Sequence, residues 1–213
     1  MQPKLNSALR EVLHRVAVVP VLTIDRVESA LPLARVLAEG GLGVIEITLR
    51  TPVALAAIHE ITSGTPGVLV GAGTVLSPEQ AQDAIRAGAR FLVSPGMTPR
   101  LLEAAQSWSI PFLPGIATAS EAMALGDMGY QVLKFFPAEA AGGIAALRAL
   151  GAPLQDLYFC PTGGIDVVKA RDYLAQPNVV CVGGSWVAPP KAVADGDWAA
   201  ISQLAREAAA LRA

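Results

Sequence analysis

The chain has 213 residues, of which 53% are hydrophobic and 16% are charged, and its net charge is −2. This composition excludes a disordered chain and favours one domain of residues 1–213. No apolar stretch reaches the roughly 18–20 residues that a membrane span needs, and no dense basic cluster indicates a nucleic-acid partner. Two cysteines are too few for a disulfide scaffold, so we expect a cytoplasmic protein.

Short runs of strand-forming residues alternate with Ala- and Leu-rich helical patterns along the whole chain. The eight runs cover residues 17–22, 44–49, 68–70, 91–94, 111–113, 132–136, 157–160 and 179–182. Helix start signals stand before four of the helical segments: Thr51-Pro52, Ser77-Pro78, Thr98-Pro99, and Thr118 with Glu121 at capping-box spacing. This order predicts an α/β protein, a (β/α)₈ TIM barrel, built as a compact single domain with an extra N-terminal helix.

An open, doubly wound sheet is the alternative architecture. The sequence GAGTVLS at 71–77 begins like a dinucleotide fingerprint, but Leu76 stands where the third glycine belongs. A G-x-G fragment alone is weak evidence for a nucleotide site. Paired glycines after the last two strands favour the barrel instead, and no cofactor is predicted.

Two charged residues, Glu46 and Lys134, stand inside the predicted strands. Side chains alternate along a strand, and the opposite face of each of these strands is entirely apolar, so both charges are predicted to point into the barrel. Burying a charged ammonium group among apolar residues costs free energy, and such a group usually loses its proton. One interpretation is a buried ion pair that fills the barrel. We favour the other, a Schiff-base lysine with a carboxylate that moves protons.

Metal catalysis has little support in the sequence. His14 lies before the first strand and His59 within the helix after the second. Neither lies at the C-terminal end of a strand, where barrel sites form. Cys160 and Cys181 end the last two strands, but without a nearby histidine they predict apolar packing rather than zinc binding.

Two glycine pairs follow the last two strands, in CPTGGI at 160–165 and VGGS at 182–185. Paired glycines let backbone N–H groups approach an anion closely, and these two loops bind phosphate in many barrels. The predicted phosphate-binding residues are Thr162, Gly163, Gly164, Gly184 and Ser185. The alternative is that each pair only makes a tight turn.

Further candidate residues lie at the predicted rim of the barrel. Arg50 follows Glu46 on the same strand face, and Thr74 ends the third strand. An arginine with a neighbouring hydroxyl suits a substrate carboxylate, although Arg50 could equally be a surface cation. Pro95 and Phe136 are predicted to form an apolar wall.

Six motifs occur in order along the chain: EITLRT, GAGTV, FLVSPG, PFLPGIAT, LKFFPAE and CPTGGI. Together they resemble the 2-keto-3-deoxy-6-phosphogluconate (KDPG) aldolase family, which also carries 4-hydroxy-2-oxoglutarate (KHG) aldolase activity. The resemblance extends from about residue 19 to residue 185. It implies a class I, metal-independent aldolase of the Entner–Doudoroff pathway on a (β/α)₈ barrel, usually a homotrimer.

The same resemblance implies roles for individual residues. Lys134 of LKFFP would form an imine with the substrate ketone, and Glu46 of EITLR would act as acid and base. Arg50 and Thr74 would hold the pyruvyl carboxylate, and the two glycine loops the phosphate.

The expected reaction is cleavage of KDPG, a phosphorylated 2-keto acid, to pyruvate and glyceraldehyde 3-phosphate. Cleavage of KHG to pyruvate and glyoxylate is expected beside it. The C4-epimeric galactonate substrate, a phosphosugar decarboxylase or epimerase, and a non-catalytic phosphosugar-binding barrel remain as alternatives.

Overall fold

The computed structural model describes residues 1–212, so Ala213, the last residue of the predicted domain, lies outside the described residues. The strands are β1 Val18–Leu22, β2 Val44–Thr48, β3 Leu69–Gly73, β4 Phe91–Val93, β5 Phe112–Leu113, β6 Gly115–Ile116, β7 Val132–Phe135, β8 Tyr158–Pro161 and β9 Val182–Gly184. The α-helices are α1 Gln2–His14, α2 Ala30–Glu39, α3 Ala54–Gly64, α4 Pro78–Arg86, α5 Pro99–Ala105, α6 Ala119–Asp127, α7 Gly143–Gly151, α8 Val167–Leu174, α9 Pro190–Asp195 and α10 Trp198–Ala209. Within residues 1–212, no helix combines the length and the apolar character that crossing a membrane requires.

The parallel strands form a ring. One sheet has the order β5-β4-β3-β2-β1-β9 and the other the order β6-β7-β8. Strands β5 and β6 follow each other across Pro114, which has no N–H group to continue the ladder. The bridges Phe159↔Val179 and Thr162↔Gly183 join the two sheets on the other side. The nine segments therefore act as eight barrel strands, the fifth being broken at Pro114, and the predicted (β/α)₈ class is confirmed.

Alternation along the strands separates two apolar cores. Ile45 and Leu133 belong to the larger core, which includes residues from the surrounding helices. Val44 and Val132 belong to a smaller core together with Leu9 of helix α1. The period of two residues predicted this division, since neighbours along a strand face opposite sides. Helix α1 thus packs against the residues that fill the barrel.

Asn6 of α1 bridges two strands that do not pair with each other. Its side-chain amide donates to the carbonyl oxygens of Phe112 on β5 (3.1 Å) and Val132 on β7 (3.0 Å). Its carbonyl oxygen accepts from the backbone N–H groups of Gln131 (2.8 Å) and Val132 (2.9 Å). One buried side chain therefore takes the place of ladder bonds at this point of the ring.

Asn6→Ala is expected to lower the free energy of unfolding by at least about 3 kcal/mol. The substitution leaves several buried backbone N–H and C=O groups without a hydrogen-bond partner, and each such group costs about 1–3 kcal/mol. Urea unfolding measures the change, with Lys4→Ala on the exposed side of the same helix as the control, expected within about 0.5 kcal/mol of wild type. A loss below about 1 kcal/mol for Asn6→Ala would show that water replaces the amide.

Three of the four predicted helix caps are confirmed. Ser77, Thr98 and Thr118 accept a hydrogen bond from the third residue of α4, α5 and α6, and Thr118 forms the full capping box with Glu121. The prediction for Thr51 is wrong. Helix α3 begins at Ala54 without a side-chain cap, and the Thr51 hydroxyl instead donates to the Ile24 carbonyl oxygen at 2.6 Å. This bond ties the loop after β2 to the loop after β1.

Candidate active site

Lys134 on β7 and Glu46 on β2 meet inside the barrel. The lysine Nζ lies 3.1 Å from Glu46 Oε1 and 3.5 Å from Oε2. Lys134 is 5% exposed and Glu46 4% exposed, and no other charged residue in 1–212 is buried. The partner that the sequence does not show near Lys134 therefore lies 88 positions away along the chain. The predicted inward orientation of both side chains agrees with this contact.

The walls around the pair are apolar or very small. The Lys134 Nζ lies 5.4 Å from the centre of the Phe136 ring, a distance that allows a cation–π contact. On the other side, the Glu46 carboxylate occupies the space that a side chain at Gly73 would need. The Cδ of Glu46 lies 2.6 Å from the position of an ideal Cβ on Gly73. Gly73 in the GAGTV motif is therefore the residue that makes room for the carboxylate.

Thr74, directly after β3, adopts a strained backbone conformation. Its φ is 58°, and it is the one residue other than glycine in 1–212 with a positive φ. This left-handed region costs a β-branched residue about 1–2 kcal/mol. Such strain is characteristic of ligand-binding positions. Thr74 follows Gly73, so its place in the chain is next to the residue that the Glu46 carboxylate contacts.

Arg50 lies at the same end of the barrel. Strands β2 and β3 pair in register from Val44↔Leu69 to Thr48↔Gly73, so the residues that follow them emerge side by side. Arg50 is exposed, and no carboxylate in residues 1–212 forms a salt bridge with it. A guanidinium group without an acidic partner at this rim is available to an anionic ligand.

The two glycine pairs lie next to each other, but only the first lies in a loop. Gly183 and Gly184 belong to β9, so the prediction that the second pair follows its strand is wrong. Thr162, one residue past β8, is bridged to Gly183 in β9, and a side chain at Gly183 would overlap the Thr162 hydroxyl. Gly163 and Gly164 have φ values of 104° and 77°, which favour glycine. An ideal Cβ on Gly163 would lie 3.3 Å from the Phe136 ring, so this loop borders the wall of the charged pair.

The remaining candidates lie just beyond the ends of the strands or at their last residue. Gly184 ends β9 and is buried, whereas Ser185 directly after it is exposed. Pro95 follows β4 by two residues and is half-buried. Because all strands are parallel, these residues emerge at the same end of the barrel as Arg50 and Thr74.

The histidines lie where the sequence predicted them, but the cysteines do not end their strands: Pro161 follows Cys160 in β8, and Cys181 directly precedes β9. Cys181 donates to Cys160 with 3.4 Å between the sulfur atoms, and both belong to the core inside the barrel. Burial raises the pKa of Cys181, whereas the hydrogen bond from Cys181 lowers the pKa of Cys160. His14 ends α1 and His59 lies in α3. In the described part of the chain, no three His, Cys, Asp or Glu side chains are grouped closely enough to hold a metal ion.

A cluster next to the first glycine loop has no counterpart among the predicted residues. Lys169 Nζ lies 2.9 Å from Glu139 Oε2, and the Tyr173 hydroxyl donates to Glu139 Oε1 at 2.7 Å. These hydrogen bonds from Lys169 and Tyr173 lower the pKa of Glu139. Lys169 and Tyr173 stand four residues apart on α8 and so share one face, a spacing that the sequence does contain.

The described side chains can perform imine chemistry on a carbonyl compound. An amine and a carboxylate in contact can transfer protons between them, and a buried lysine is the usual imine-forming nucleophile. An unpaired arginine and paired glycines at the mouth fit a substrate that carries an anion at each end.

Comparisons with known proteins point to one family. The family model for KDPG and KHG aldolases matches residues 9–204. The KHG/KDPG aldolase of Escherichia coli (strain K12) is 48% identical over 95% of each chain. A crystal structure of KDPG aldolase from Legionella pneumophila, with pyruvate captured as a covalent carbinolamine, superimposes with a TM-score of 0.92 at 45% identity over 98% of each chain. A native KDPGal structure superimposes with a TM-score of 0.81 at 27% identity over 92% of this chain and 93% of that one. The chain therefore belongs to the KDPG and KHG aldolase family.

Proposed function

We propose that this chain is a class I aldolase that cleaves KDPG to pyruvate and glyceraldehyde 3-phosphate, and KHG to pyruvate and glyoxylate. The observation that carries the proposal is the buried contact of 3.1 Å between Lys134 and Glu46. Similarity at 48% identity to an aldolase with both substrates in its name supports the same pair of reactions here.

The reaction begins with imine formation. Arg50 and Thr74 hold the carboxylate of the 2-keto acid at the mouth of the barrel, with its ketone directed at the lysine. Glu46 takes a proton from the Lys134 ammonium, and the freed amine attacks C2. A second proton moves from the nitrogen to the former carbonyl oxygen, and Glu46 then returns its proton to that hydroxyl group, which leaves as water. A carbinolamine of the substrate precedes the imine, and the corresponding carbinolamine of pyruvate, the intermediate named for the Legionella structure, forms at the end of the reaction when water adds to the pyruvate imine. The protonated imine then withdraws electrons from C3.

Bond cleavage needs a base, and proton return needs an acid. The Glu46 carboxylate removes the proton of the C4 hydroxyl, the C3–C4 bond breaks, and its electron pair moves into the enamine. Glyceraldehyde 3-phosphate leaves, Glu46 returns the proton to C3, and hydrolysis of the imine frees pyruvate and Lys134. The Glu46 carboxylate, in contact with the amine, therefore acts as the base that removes the hydroxyl proton and as the acid that protonates C3.

The phosphate end of KDPG lies at the two glycine pairs in this proposal. Backbone N–H groups of Gly163, Gly164 and Gly184, with the hydroxyl groups of Thr162 and Ser185, supply the hydrogen bonds. Phe136 and Pro95 form the apolar wall along the carbon chain. The closeness of the Phe136 ring to Gly163 supports this arrangement, because one side chain then borders both the imine end and the phosphate end.

The other interpretations of the sequence have weaker support. The KDPGal structure is 27% identical, well below the 48% of the E. coli enzyme, which favours the gluconate over the galactonate epimer. A non-catalytic barrel has no need of a lysine buried beside a carboxylate. Incubation with pyruvate and borohydride, followed by intact mass measurement, tests the imine, and assays with both C4 epimers test the stereochemistry.

Full activity is expected to survive exhaustive treatment with EDTA. The imine supplies the electron withdrawal for which a class II aldolase needs a metal ion, so chelation removes nothing from the reaction. Initial rates of KDPG cleavage before and after treatment measure this. Loss of activity that a divalent ion restores would assign the chain to the other mechanistic class.

We also propose that the chain acts as one barrel domain, in the cytoplasm, as a homotrimer. The trimer is what the resemblance to this family implies. Light scattering coupled to size-exclusion chromatography tests it, because a stable monomer or dimer at micromolar concentration would contradict a trimer.

A further inference from the structure

In the first glycine loop, Gly163-Gly164, two consecutive carbonyl groups accept hydrogen bonds from donors on the same side of the loop. The Gly163 carbonyl oxygen accepts from the backbone N–H of Glu139 at 3.2 Å. The Gly164 carbonyl oxygen accepts from Lys169 Nζ at 3.1 Å. Both peptide bonds are trans, so the N–H of each peptide points away from its carbonyl oxygen. The N–H groups of Gly164 and Ile165 are therefore directed to the opposite side of the loop.

These two N–H groups are free to bind a ligand. Among residues 1–212, neither one donates a hydrogen bond to a backbone or side-chain acceptor. Successive backbone N–H groups turned to one side form a concave site for an anion. Ile165 is not among the residues that the sequence predicted for the phosphate.

Glycine alone does not hold such a loop in one conformation. Gly163 and Gly164 have access to the widest range of φ and ψ values of any residue, and ordering them costs the most entropy. An ideal Cβ at Gly164 would lie 2.8 Å from the Glu139 Cβ, so the loop packs directly against this glutamate. The fixed orientation must therefore come from the neighbours of the loop.

Lys169 is itself held in place. Glu139 lies 2.9 Å from its ammonium group, and this hydrogen bond raises the pKa of Lys169. Tyr173, fully buried, donates to the other oxygen of the same carboxylate at 2.7 Å. The three side chains form a chain of hydrogen bonds from the core of the protein to the Gly164 carbonyl oxygen.

We propose that Glu139, Lys169 and Tyr173 form a brace that orients the N–H groups of Gly164 and Ile165 toward the substrate phosphate. They are positioning residues, because they act through the loop and touch no reacting atom. The inference rests on the proposed function, since it takes the phosphate to lie at this loop. It assigns to the brace the preference for phosphorylated over unphosphorylated substrates.

The test variant is Lys169→Met combined with Glu139→Gln. It removes the contact to the Gly164 carbonyl oxygen and cancels both charges, so the net charge beside the phosphate is unchanged. We expect KM for KDPG to rise about tenfold, the loss of about 1.4 kcal/mol in binding, with kcat within about threefold of wild type. Exchange of pyruvate methyl protons into deuterated water, which involves no phosphate, should stay within about twofold.

One further variant serves as a control and another as a second test. Lys191→Met with Asp195→Asn removes the exposed lysine–aspartate pair of α9 in the same charge-neutral way and should leave KM unchanged. Tyr173→Phe removes only the hydroxyl that holds Glu139, and it should raise KM for KDPG about two- to threefold. If the double variant fails to fold, Tyr173→Phe decides the question.

The outcomes separate this inference from the proposed function. An unchanged KM, or an equal loss in KDPG cleavage and in pyruvate exchange, would overturn the brace and leave the aldolase intact. Wild-type kcat/KM that is the same for KDPG and for 2-keto-3-deoxygluconate, which lacks only the phosphate, would overturn the phosphate site itself and the brace with it.

Discussion

Lys134→Met should lose at least about 10⁴-fold in KDPG cleavage and all covalent trapping of pyruvate by borohydride. The thioether is close to the lysine side chain in length but has no amine to form the imine, and no other lysine lies inside the barrel among the described residues. Steady-state rates and intact mass after reduction measure both effects.

The substitution also leaves the Glu46 carboxylate buried without its partner, which costs about 3–5 kcal/mol of stability. The variant Lys134→Met with Glu46→Gln removes both charges and separates loss of chemistry from loss of folding. Lys191→Met, on the surface of α9, should trap pyruvate as wild type does. Trapping that persists in Lys134→Met and maps to Lys169 or Lys191 would contradict the assignment of the imine.

Glu46→Gln is expected to lower turnover about 10²–10⁴-fold, the usual contribution of a general acid–base group. The amide has the same shape as the carboxylate and can still contact Lys134, but it neither accepts nor returns a proton. Trapping needs the retained Lys134 amine and only one slow imine formation per protein, so pyruvate should still be trapped by borohydride in a long incubation. Exchange of its methyl protons into deuterated water needs repeated proton transfer and should become far slower. Exchange reports protonation of the enamine without any aldehyde.

Circular dichroism and thermal unfolding of Glu46→Gln provide the control for structural damage. Near-normal exchange in a folded variant would mean that another group or water carries the proton. Glu46 would then serve only as the partner of the lysine charge.

The parts of the fold that depend on local patterns could be predicted from the sequence. Alternation in VIEITLR and VLKFF places Glu46 and Lys134 on the inner faces of their strands, and the caps Ser77, Thr98 and Thr118 lie where their motifs indicate. Each of these features is decided within four residues of chain. The break of the fifth strand at Pro114 was missed because two short segments of two residues each carry no periodicity.

Features that depend on residues far apart in the chain could not be predicted. Asn6 stands on the buried face of α1 beside Leu9 and Leu13, and only the fold shows which strands it joins. Polar residues at core-facing helix positions were the one available signal. Likewise Glu139 is part of LKFFPAE, but its partners Lys169 and Tyr173 lie about 30 residues later on α8, and nothing local indicates that they hold Gly164.

The N-terminal helix covers one end of the barrel. Helix α1 packs against the residues that fill the barrel at one of its ends. Substrate and products therefore enter and leave through the opening at the other end. In the proposed reaction the three-carbon acid is tethered to Lys134 deep in the barrel, and the aldehyde half lies between it and the exit. The aldehyde therefore departs first and the acid last, so pyruvate should compete directly with KDPG as a product inhibitor, whereas glyceraldehyde 3-phosphate should bind the form of the protein that still carries the acid.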